Sequence, residues 1–576
     1  MKPIHNQGRS YHIELVAVFV LVALAFALRF HRLDFYSLSE DESAKWVAIQ
    51  DYRHGHFAGV NSEHPMLPKM LAWASLAAGE RWNQLAFVHH WSSLKPEGWI
   101  RLPNVILGSL TTGILYLFCR QMMGVPGSLA ASFFWAVSPL AIALNRLTKE
   151  ETPVTFFTLL ACYLYCRAKQ PSVHLSARHW YDLSAIAFGL ALASQYIIHL
   201  LGLNALAWLI AGRKGLDPNP PRFSFKRFYL LMFVGFTLVN PVILSPHNLH
   251  TIVYWFQHGG ASHTGYDFDG RLYVNFPSKL FAGVPWFYYV WLLLVKTPLL
   301  ILLCVAAGSI LLLRHHRTLA SCYFLSMGIV QLAGLSVSGA KWIRYSLPIL
   351  PFLYLAGGYA VQQTWRFAMK KELSLRLVWI LALILVAVPL VELMDWAPYY
   401  SFYLNAIGGG KQRIGHYFAQ DEVTEFDTRE VAQKICNSAP ESSRLATARP
   451  MSLRYYLETC GRSDLIVVPL YDRKYVPQDR DIIVLEPSRR FFETQKFFTV
   501  LENSGLPHDD VRVGPILSST IYLFDSSAQS SRTLGQGATV AQVHSPSQSP
   551  GTHAPGLGLI DPLRFESAAD TRRFAP

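Results

Sequence analysis

The sequence has few charged residues, and this scarcity argues against an ordinary soluble protein. Only 15% of its 576 residues are charged, whereas 51% are apolar. Soluble globular chains carry about a quarter charged residues. The sequence also contains no Walker-type loop, no Gly-x-Gly-x-x-Gly after a strand and no Gly-x-Ser-x-Gly turn. A nucleotide substrate is therefore not indicated.

Cysteine is also scarce, and no Cys-x-x-Cys pair suggests a structural zinc site. Five of the seven cysteines lie in or beside apolar runs, where they behave as small hydrophobic residues. The other two, Cys436 and Cys460, lie in the polar C-terminal part. They are positioned to form a disulfide if that part is extracytoplasmic.

Long apolar runs are abundant, and they predict a polytopic α-helical membrane protein. The net charge of +13 is interpreted as basic cytoplasmic loops, not as a nucleic-acid surface. The first run lacks a small-residue cleavage site and is interpreted as a retained span. The clear runs are 13–30, 102–119, 126–144, 152–166, 228–245, 286–313, 319–337, 345–362 and 375–396.

Basic loops set the expected topology. They are 120–123, 166–180, 213–227, 314–317 and 365–376, and the positive-inside rule places them in the cytoplasm. The loops 166–180 and 213–227 share a side only if the run 183–211 crosses twice. The prediction is therefore about eleven spans, whereas a single crossing would give ten. The outer segments are then 31–101, 145–152, 246–285, 338–345 and everything after 397.

The C-terminal part has a different pattern. Four strand-like stretches, "RLATA", "LIVVPLY", "DIIVLEP" and "STIYLFD", alternate with three helix-like ones, "DTREVAQKICN", "MSLRYYLETC" and "SRRFFETQKFF". This alternation predicts a small extracytoplasmic α/β domain over 398–525, after a transmembrane catalytic domain over 1–397. Residues 526–576 are rich in Ser, Gly, Pro and Gln and are predicted to be a disordered tail.

Acidic residues cluster in the first outer segment. Asp41 and Glu42 follow the first span closely, and they are either simply solvated or act as a general base and an electrostatic anchor. The same segment holds Glu63, His64 and Lys69 at a proline-bounded helix start, where they form either a ligand site or an ordinary interfacial cap. A divalent metal is possible at Glu63 and His64, or at His258 and His263.

Further charged residues lie at other outer helix ends. Glu151 is in "LTKEETPVTFF", a conventional helix start that is equally compatible with a second acid of a site. Lys296 lies inside an apolar run, where charge is costly and usually functional. Lys341 and Arg344 open another run and either reach toward lipid headgroups or bind a phosphate. A phosphate attached to a lipid would reach this face through the bilayer.

The order of these motifs resembles glycosyltransferase family 39, the protein O-mannosyltransferase family with its bacterial relatives, which include lipid A aminoarabinose transferases. The matching pieces cover about residues 10–420. They are "DE" (41–42), "EHPMLPK" (63–69), "RLPNVILGSLTTGILYLF" (101–118), "TKEETPVTFF" (148–157), "GLALASQY" (189–196), "WFYYVWLLLVKTPL" (286–299), "KWIRYSLPILP" (341–351) and "PYYSFYLNAIGGG" (398–410).

The resemblance implies a GT-C fold and inverting transfer of a sugar, mannose or another, from a polyprenyl phosphate to an acceptor hydroxyl or amine. Asp41 would be the base and Glu42 would orient it, while Glu151 would be a second acid. Arg344 and Lys341, with Lys296, would bind the phosphate. The acceptor would be a protein, a lipid or a glycan. Bacterial relatives imply an inner membrane with the site facing the periplasm, and eukaryotic ones imply a dolichol carrier.

Two departures from the family pattern concern the site. Gln195 stands where the family commonly has Lys, and Glu151 stands where it often has Asp. Another hypothesis is a transporter or flippase for a lipid-linked sugar, which would favour intramembrane charges and repeated halves. The sequence shows no internal repeat, and its acids cluster at the outer edge.

Overall fold

The computed structural model describes residues 5–57, 59–85, 94–168, 176–196, 224–258, 265–275, 280–315, 318–418, 425–514 and 516–524. Four of the sequence predictions concern residues or side chains that the structure does not describe. They are the second half of the double crossing, the tail 526–576, His263 and the side chain of His258.

The N-terminal two thirds of the described chain is helical. Its helices are α1 (His5–Phe30), α2 (Glu40–Arg53), α3 (Leu67–Asn83), α4 (Pro96–Cys119), α5 (Val125–Ala136), α6 (Pro139–Asn145), α7 (Glu151–Ala168), α8 (Ala177–Leu192), α9 (Phe225–Val239), α10 (Pro246–His258), α11 (Tyr288–Lys296), α12 (Leu299–Arg314), α13 (Leu319–Val337, with a π-helical stretch over Phe324–Val330), α14 (Leu350–Lys370) and α15 (Leu375–Met394). A hairpin of β1 (Tyr266–Phe268) and β2 (Arg271–Tyr273) lies between α10 and α11.

Several of these helices are suited to cross a bilayer. Within the described ranges, α1, α4, α13 and α15 are long and apolar enough, and α5 with α6 makes a fifth if the bent pair counts as one span. The total of eleven stays a prediction, because much of the run 183–211 is outside the described residues.

The geometry of α8 and α9 agrees with a total of eleven spans. Asp182 pairs with Arg227 at 2.7 Å and Tyr196 packs on Phe236, so the two helices run parallel and begin at the same end.

Two predicted continuous runs are broken in the structure. The run 126–144 bends by 56° between α5 and α6, because Pro139 cannot continue the backbone hydrogen bonds of α5. Arg29 at the end of α1 compensates by donating to the carbonyls of Trp135 and Ala136 at 3.2 and 3.1 Å. A buried arginine thus satisfies the carbonyls at the break, as a helix break at membrane depth requires.

The run 286–313 is broken in the same way, between α11 and α12 at Thr297 and Pro298. Here Asn405 supplies the hydrogen bonds. Its side-chain amide donates to the carbonyls of Leu294 and Thr297 at 2.7 and 2.8 Å, and its backbone N–H donates to Val295 at 2.9 Å. The segment that follows the last predicted span therefore completes the break.

Helix packing in the core depends on small residues. The Cβ of any larger residue at Gly308 would lie 1.7 Å from the carbonyl oxygen of Ala356, so α12 and α14 make backbone contact. Such close approach is the usual way that helices associate where lipid removes the hydrophobic driving force.

The C-terminal part contains the predicted α/β pattern. Its strands are β3 (Arg444–Thr447), β4 (Ile466–Pro469), β5 (Ile482–Leu485), β6 (His508–Val513) and β7 (Ile516–Leu523), and its helices are α16 (Thr428–Ser438), α17 (Pro450–Thr459) and α18 (Gln495–Glu502). The sheet order is β4-β3-β5-β7-β6, with β4, β3 and β5 parallel and the others antiparallel. We call residues 425–524 the α/β region. The four predicted strands are present, whereas β6 was not predicted and the third helix begins seven residues later than expected, at Gln495 rather than Ser488.

Cys436 and Cys460 form a disulfide, with their Cα atoms 6.7 Å apart. It joins α16 to the residue that ends α17.

Candidate active site

Charged residues from the ends of several helices converge on one place. The first turn of α2, the segment before α3, the turn before α7 and the 3₁₀ turn Ile343–Ile349 each contribute side chains. We call this group the acidic cluster; its members are Asp41, Glu42, Lys45, His64, Arg101, Lys149, Glu150, Glu151 and Arg344.

Asp41 lies in a well-defined first helical turn. Ser39 caps α2 and forms a capping box with Glu42, so the helix start is specified by the local sequence. The Asp41 carboxylate accepts a hydrogen bond from Lys149, and Arg344 lies 3.9 Å away. The side chain is 37% exposed, so this carboxylate is both paired with cations and open to an incoming group.

Glu42 is completely buried and held on all sides. Its carboxylate accepts from Arg101 at 2.7 and 2.8 Å, from the Thr148 N–H at 2.8 Å and from the Ser39 N–H at 3.1 Å. Burial would raise the pKa of Glu42, but the charge and hydrogen bonds of Arg101 outweigh it and hold the pKa below its ordinary value. Glu42 is therefore charged and structurally fixed.

The N-terminal half of α4 supports both the start of α2 and the turn before α7. Arg101 binds Glu42, and Asn104, one turn later, donates to the carbonyls of Leu147 and Lys149 at 2.6 and 2.8 Å. These two residues face the same side of the helix at i and i+3. They hold the turn that carries Lys149 against the start of α2.

Glu151 and Arg344 form a second contact of the cluster. Arg344 Nε lies 3.3 Å from the Glu151 carboxylate, and another nitrogen of the same guanidinium faces Asp41. Gln195, for which the resemblance would lead us to expect Lys, donates to Glu151 at 3.4 Å. Arg344 thus connects two of the acids that the sequence analysis identified.

Lys45 and Glu150 belong to the cluster, although the sequence analysis did not single them out. Lys45 Nζ lies 2.9 Å from Glu150, and His64 Nδ1 lies 4.0 Å from it. Burial opposes ionisation of Glu150, but Lys45, His64 and Lys149 hold its pKa well below the usual range. A helical signal for Lys45 was available, because it lies four residues after Asp41 and so on the same face of α2.

Lys69 and Glu63 shape the adjoining turn. Lys69 Nζ donates to the carbonyls of Asn61 and His64 at 2.5 and 3.0 Å, and the Asn61 side chain donates to Glu63 at 3.4 Å. Burial lowers the pKa of Lys69 to about 8, although Glu63 opposes this. Within the described residues, no group of three or more His, Cys, Asp and Glu side chains is arranged to hold a metal ion.

The structure places Lys341 and Lys296 against backbone carbonyls. Lys341 Nζ donates to the carbonyl of Ser338, three residues before it. Lys296 is the last residue of α11; its Nζ donates to the carbonyl of Ser401 at 2.5 Å and lies 5.5 Å from the ring of Phe418. The Ser401 carbonyl and the Phe418 ring thus compensate for the burial of this charge in an apolar run.

Comparison with known proteins identifies the fold of this chain. Residues 93–244 match the model of the family described as dolichyl-phosphate-mannose-protein mannosyltransferase. The chain also superposes on ArnT from Cupriavidus metallidurans bound to undecaprenyl phosphate, with a TM-score of 0.50 and 14% identity, over 89% of this chain and 98% of that one. The chain has the GT-C fold.

Other GT-C structures are similar over a smaller share or with a lower score. The oligosaccharyltransferase of Archaeoglobus fulgidus, tethered to an acceptor peptide, gives a TM-score of 0.49 with 11% identity, over 82% of this chain and 69% of that one. The Pmt1–Pmt2 complex of S. cerevisiae, bound to the sugar donor, gives 0.30 with 21% identity, over 44% and 35%. No curated protein sequence matches the chain significantly.

Proposed function

We propose that this chain is a polyprenyl-phosphate-dependent GT-C glycosyltransferase that transfers mannose or a related sugar, with inversion, to an acceptor hydroxyl or amine. The observation that carries the proposal is the partly open Asp41 carboxylate beside two cations, Lys149 and Arg344. The family match over residues 93–244 and the fold support the same class of reaction.

Asp41 has the exposure that a general base needs. It would take the proton of the acceptor as the acceptor oxygen or nitrogen bonds to the anomeric carbon. The bond between that carbon and the phosphate oxygen breaks in the same step, and the electron pair leaves with the carrier phosphate. Asp41 pairs with cations in the described arrangement, so a donor phosphate that attracts Lys149 and Arg344 would release its carboxylate.

Arg344 and Lys149 are the cations that we place on the donor phosphate. A guanidinium binds phosphate through paired hydrogen bonds and stabilises the charge that develops on the leaving group. Glu151 would hold Arg344 in place from its other side. Glu42 would position the α2 turn. Binding of phosphate by Lys341 and Lys296 stays a prediction.

The side of the membrane that the acidic cluster would face follows from the chemistry of the donor. The donor is lipid-linked, so the acidic cluster would face the side on which the carrier presents its sugar. With an undecaprenyl carrier, that side is the periplasmic face of a bacterial inner membrane. The acceptor would be a protein, a lipid or another glycan.

Sugar transfer by the purified protein in liposomes tests the proposal. The assay offers radiolabelled polyprenyl-phosphate mannose and a panel of other lipid-linked sugars. We expect Asp41→Asn to lower donor turnover about 10²–10⁴-fold, because the amide cannot accept the proton. The matched control is Asp395→Asn, whose carboxylate is 64% exposed and pairs with Lys411 at the end of α15. It should leave turnover unchanged.

Each other result would change the assignment. Turnover that survives Asp41→Asn would move the base elsewhere, and Glu151→Gln would be the next variant. If no donor is consumed and the label instead crosses the bilayer, the chain is a flippase and the transferase is rejected.

A further inference from the structure

The segment that carries Asp41 is bound to the α/β region by a series of hydrogen bonds. Ser37 Oγ donates to the carbonyl of Phe426 at 2.9 Å and accepts from the Arg429 N–H at 2.9 Å. Leu38 N–H donates to the Tyr456 hydroxyl at 2.8 Å. Ser37 and Leu38, just before the first turn of α2, are therefore both hydrogen-bonded to residues about 400 positions later in the chain.

Glu40 continues this series at the first position of α2. Its carboxylate accepts the backbone N–H groups of Met451 and Ser452 at 3.0 and 2.9 Å, and its own N–H donates to Glu425 at 3.0 Å. Met451 and Ser452 are in the first turn of α17, where N–H groups have no partner within the helix. Glu40 thus caps a helix of the α/β region from a position 412 residues away in sequence.

Glu40 lies at the kind of position where open α/β sheets bind ligands. α17 follows β3, and β3 is flanked by the parallel strands β4 and β5. In open α/β sheets, ligands bind outside the carboxyl ends of parallel strands, often at a helix N-terminus. Here the chain's own acids are at that edge: Glu40 at α17, and Glu486 after β5, which accepts from the Ala448 N–H at 3.1 Å.

Apolar packing extends the same contact. Leu38 and Ile49 share a core with Leu453 and Val431 of the α/β region, and Tyr36 stacks on Phe426 with ring centroids 3.9 Å apart. Tyr456 adds a polar link, since its hydroxyl donates to Glu97 at 2.9 Å. The segment from Tyr36 to Ile49 and the α/β region therefore share one buried interface.

We propose that the α/β region acts as a clamp that positions the base, and that Glu40 is the positioning residue that links this region to Asp41. The proposal rests on the proposed function, because it assigns Asp41 as the base. Glu40 does not touch the donor in this scheme. Its carboxylate fixes the first turn of α2, and with it the direction of the Asp41 side chain.

Two variants remove different hydrogen bonds of the clamp. Glu40→Ala removes the cap on α17, and Tyr456→Phe removes the hydroxyl that accepts from Leu38. We expect each to lower kcat about 10–100-fold, because a displacement of about 1 Å of a catalytic group has an effect of this size. The donor KM should stay within about threefold, since Arg344 and Lys149 are unchanged. The matched control is Glu80→Ala, whose exposed carboxylate pairs with Arg53 in the same outer segment.

Hydrogen exchange of the full-length protein in detergent supplies a readout independent of activity. Both variants should exchange faster than the wild type at the amides of residues 37–41, and the control should not. Unchanged kcat in both variants, or a KM that rises as kcat falls, would overturn the clamp. Faster exchange with unchanged kcat would overturn it as well.

Failure of the proposed function gives a different pattern. A wild type that consumes no lipid-linked donor removes the role of Asp41 as base, and the positioning role fails with it. The exchange data would then show only whether the α/β region holds residues 37–41.

Discussion

Arg101 is the residue on which the geometry at the start of α2 depends. Its guanidinium binds both oxygens of Glu42 and also donates to the carbonyls of Leu33, Tyr36 and Ser37, the last at 2.6 Å. Both charged partners are buried, at 1% and 0% side-chain exposure. A pair of this kind is costly to break, because the remaining charge is left without a partner in a low-dielectric environment.

We expect Arg101→Lys to destabilise the protein by about 1–3 kcal/mol, the cost of leaving buried acceptors without their hydrogen bonds. Lysine keeps the charge but lacks the planar fork, so it cannot bind both Glu42 oxygens and the three carbonyls together. The measurement is the change in unfolding free energy in detergent, from denaturant titration.

Arg53→Lys is the matched control for this prediction. Arg53 pairs with Glu80 at 2.6 Å on the surface, with side-chain exposures of 28% and 49%. Exposed pairs contribute about 0–1 kcal/mol, so the control should be nearly neutral. Equal effects of the two substitutions would show that Arg101 is no more important than a surface arginine.

At the scale of elements, broken helices and a disulfide fix the geometry. Arg29 and Asn405 satisfy the carbonyls at two proline breaks, and Lys296 is the last helical residue before the second break. The disulfide between Cys436 and Cys460 connects α16 and α17, and both helices contribute to the clamp. Element ends, more than element interiors, therefore carry the candidate site.

Removal of this disulfide by Cys436→Ser with Cys460→Ser should lower stability by about 2–4 kcal/mol. The physical reason is that the cross-link restricts the unfolded chain between α16 and α17. Thermal unfolding of the variant, compared with the wild type under oxidising conditions, measures the effect. The wild type treated with a reductant is the control and should unfold like the variant. If variant and wild type unfold at the same temperature, the cross-link contributes nothing.

At the scale of the whole molecule, the main prediction concerns the side of the membrane on which each loop lies. α8 and α9 run parallel, so their first turns lie at the same end. This agrees with loops 166–180 and 213–227 on one side, as eleven spans require. Ten spans would place the two loops on opposite sides.

Accessibility of single cysteines distinguishes the two topologies. Arg178→Cys and Lys226→Cys report on the exposed starts of α8 and α9, and Glu80→Cys is the reference for the side that is predicted to be outer. In right-side-out membrane vesicles, a membrane-impermeant maleimide should label only Glu80→Cys. The other two should react after permeabilisation, while the unmodified protein gives the background. Labelling of Lys226→Cys, but not of Arg178→Cys, before permeabilisation would establish a single crossing.

Much of the fold was predictable from the sequence. Apolar runs of spanning length are a property of composition, so they identify the helices without reference to tertiary contacts. Alternating strand and helix patterns predicted β3, β4, β5 and β7, whereas β6, "HDDVRV", is too polar to show a strand pattern. The acids Asp41 and Glu151 and the cation Arg344 were identified because they lie in short motifs at the ends of apolar runs, and the order of these motifs resembles glycosyltransferase family 39.

The tertiary structure decided which of these charges meet. Lys45 with Glu150, and Glu40 with the start of α17, are contacts between segments far apart in sequence, and no local pattern encodes such pairings. It also separated roles that the sequence left equal. Asp41 and Glu42 are neighbours in the chain, but burial against Arg101 makes one a structural anchor and leaves the other partly open. The sequence by itself determines which residues are charged and which segments are apolar, because those are local properties. Burial and pairing depend on the packed chain, and only the tertiary structure supplies them.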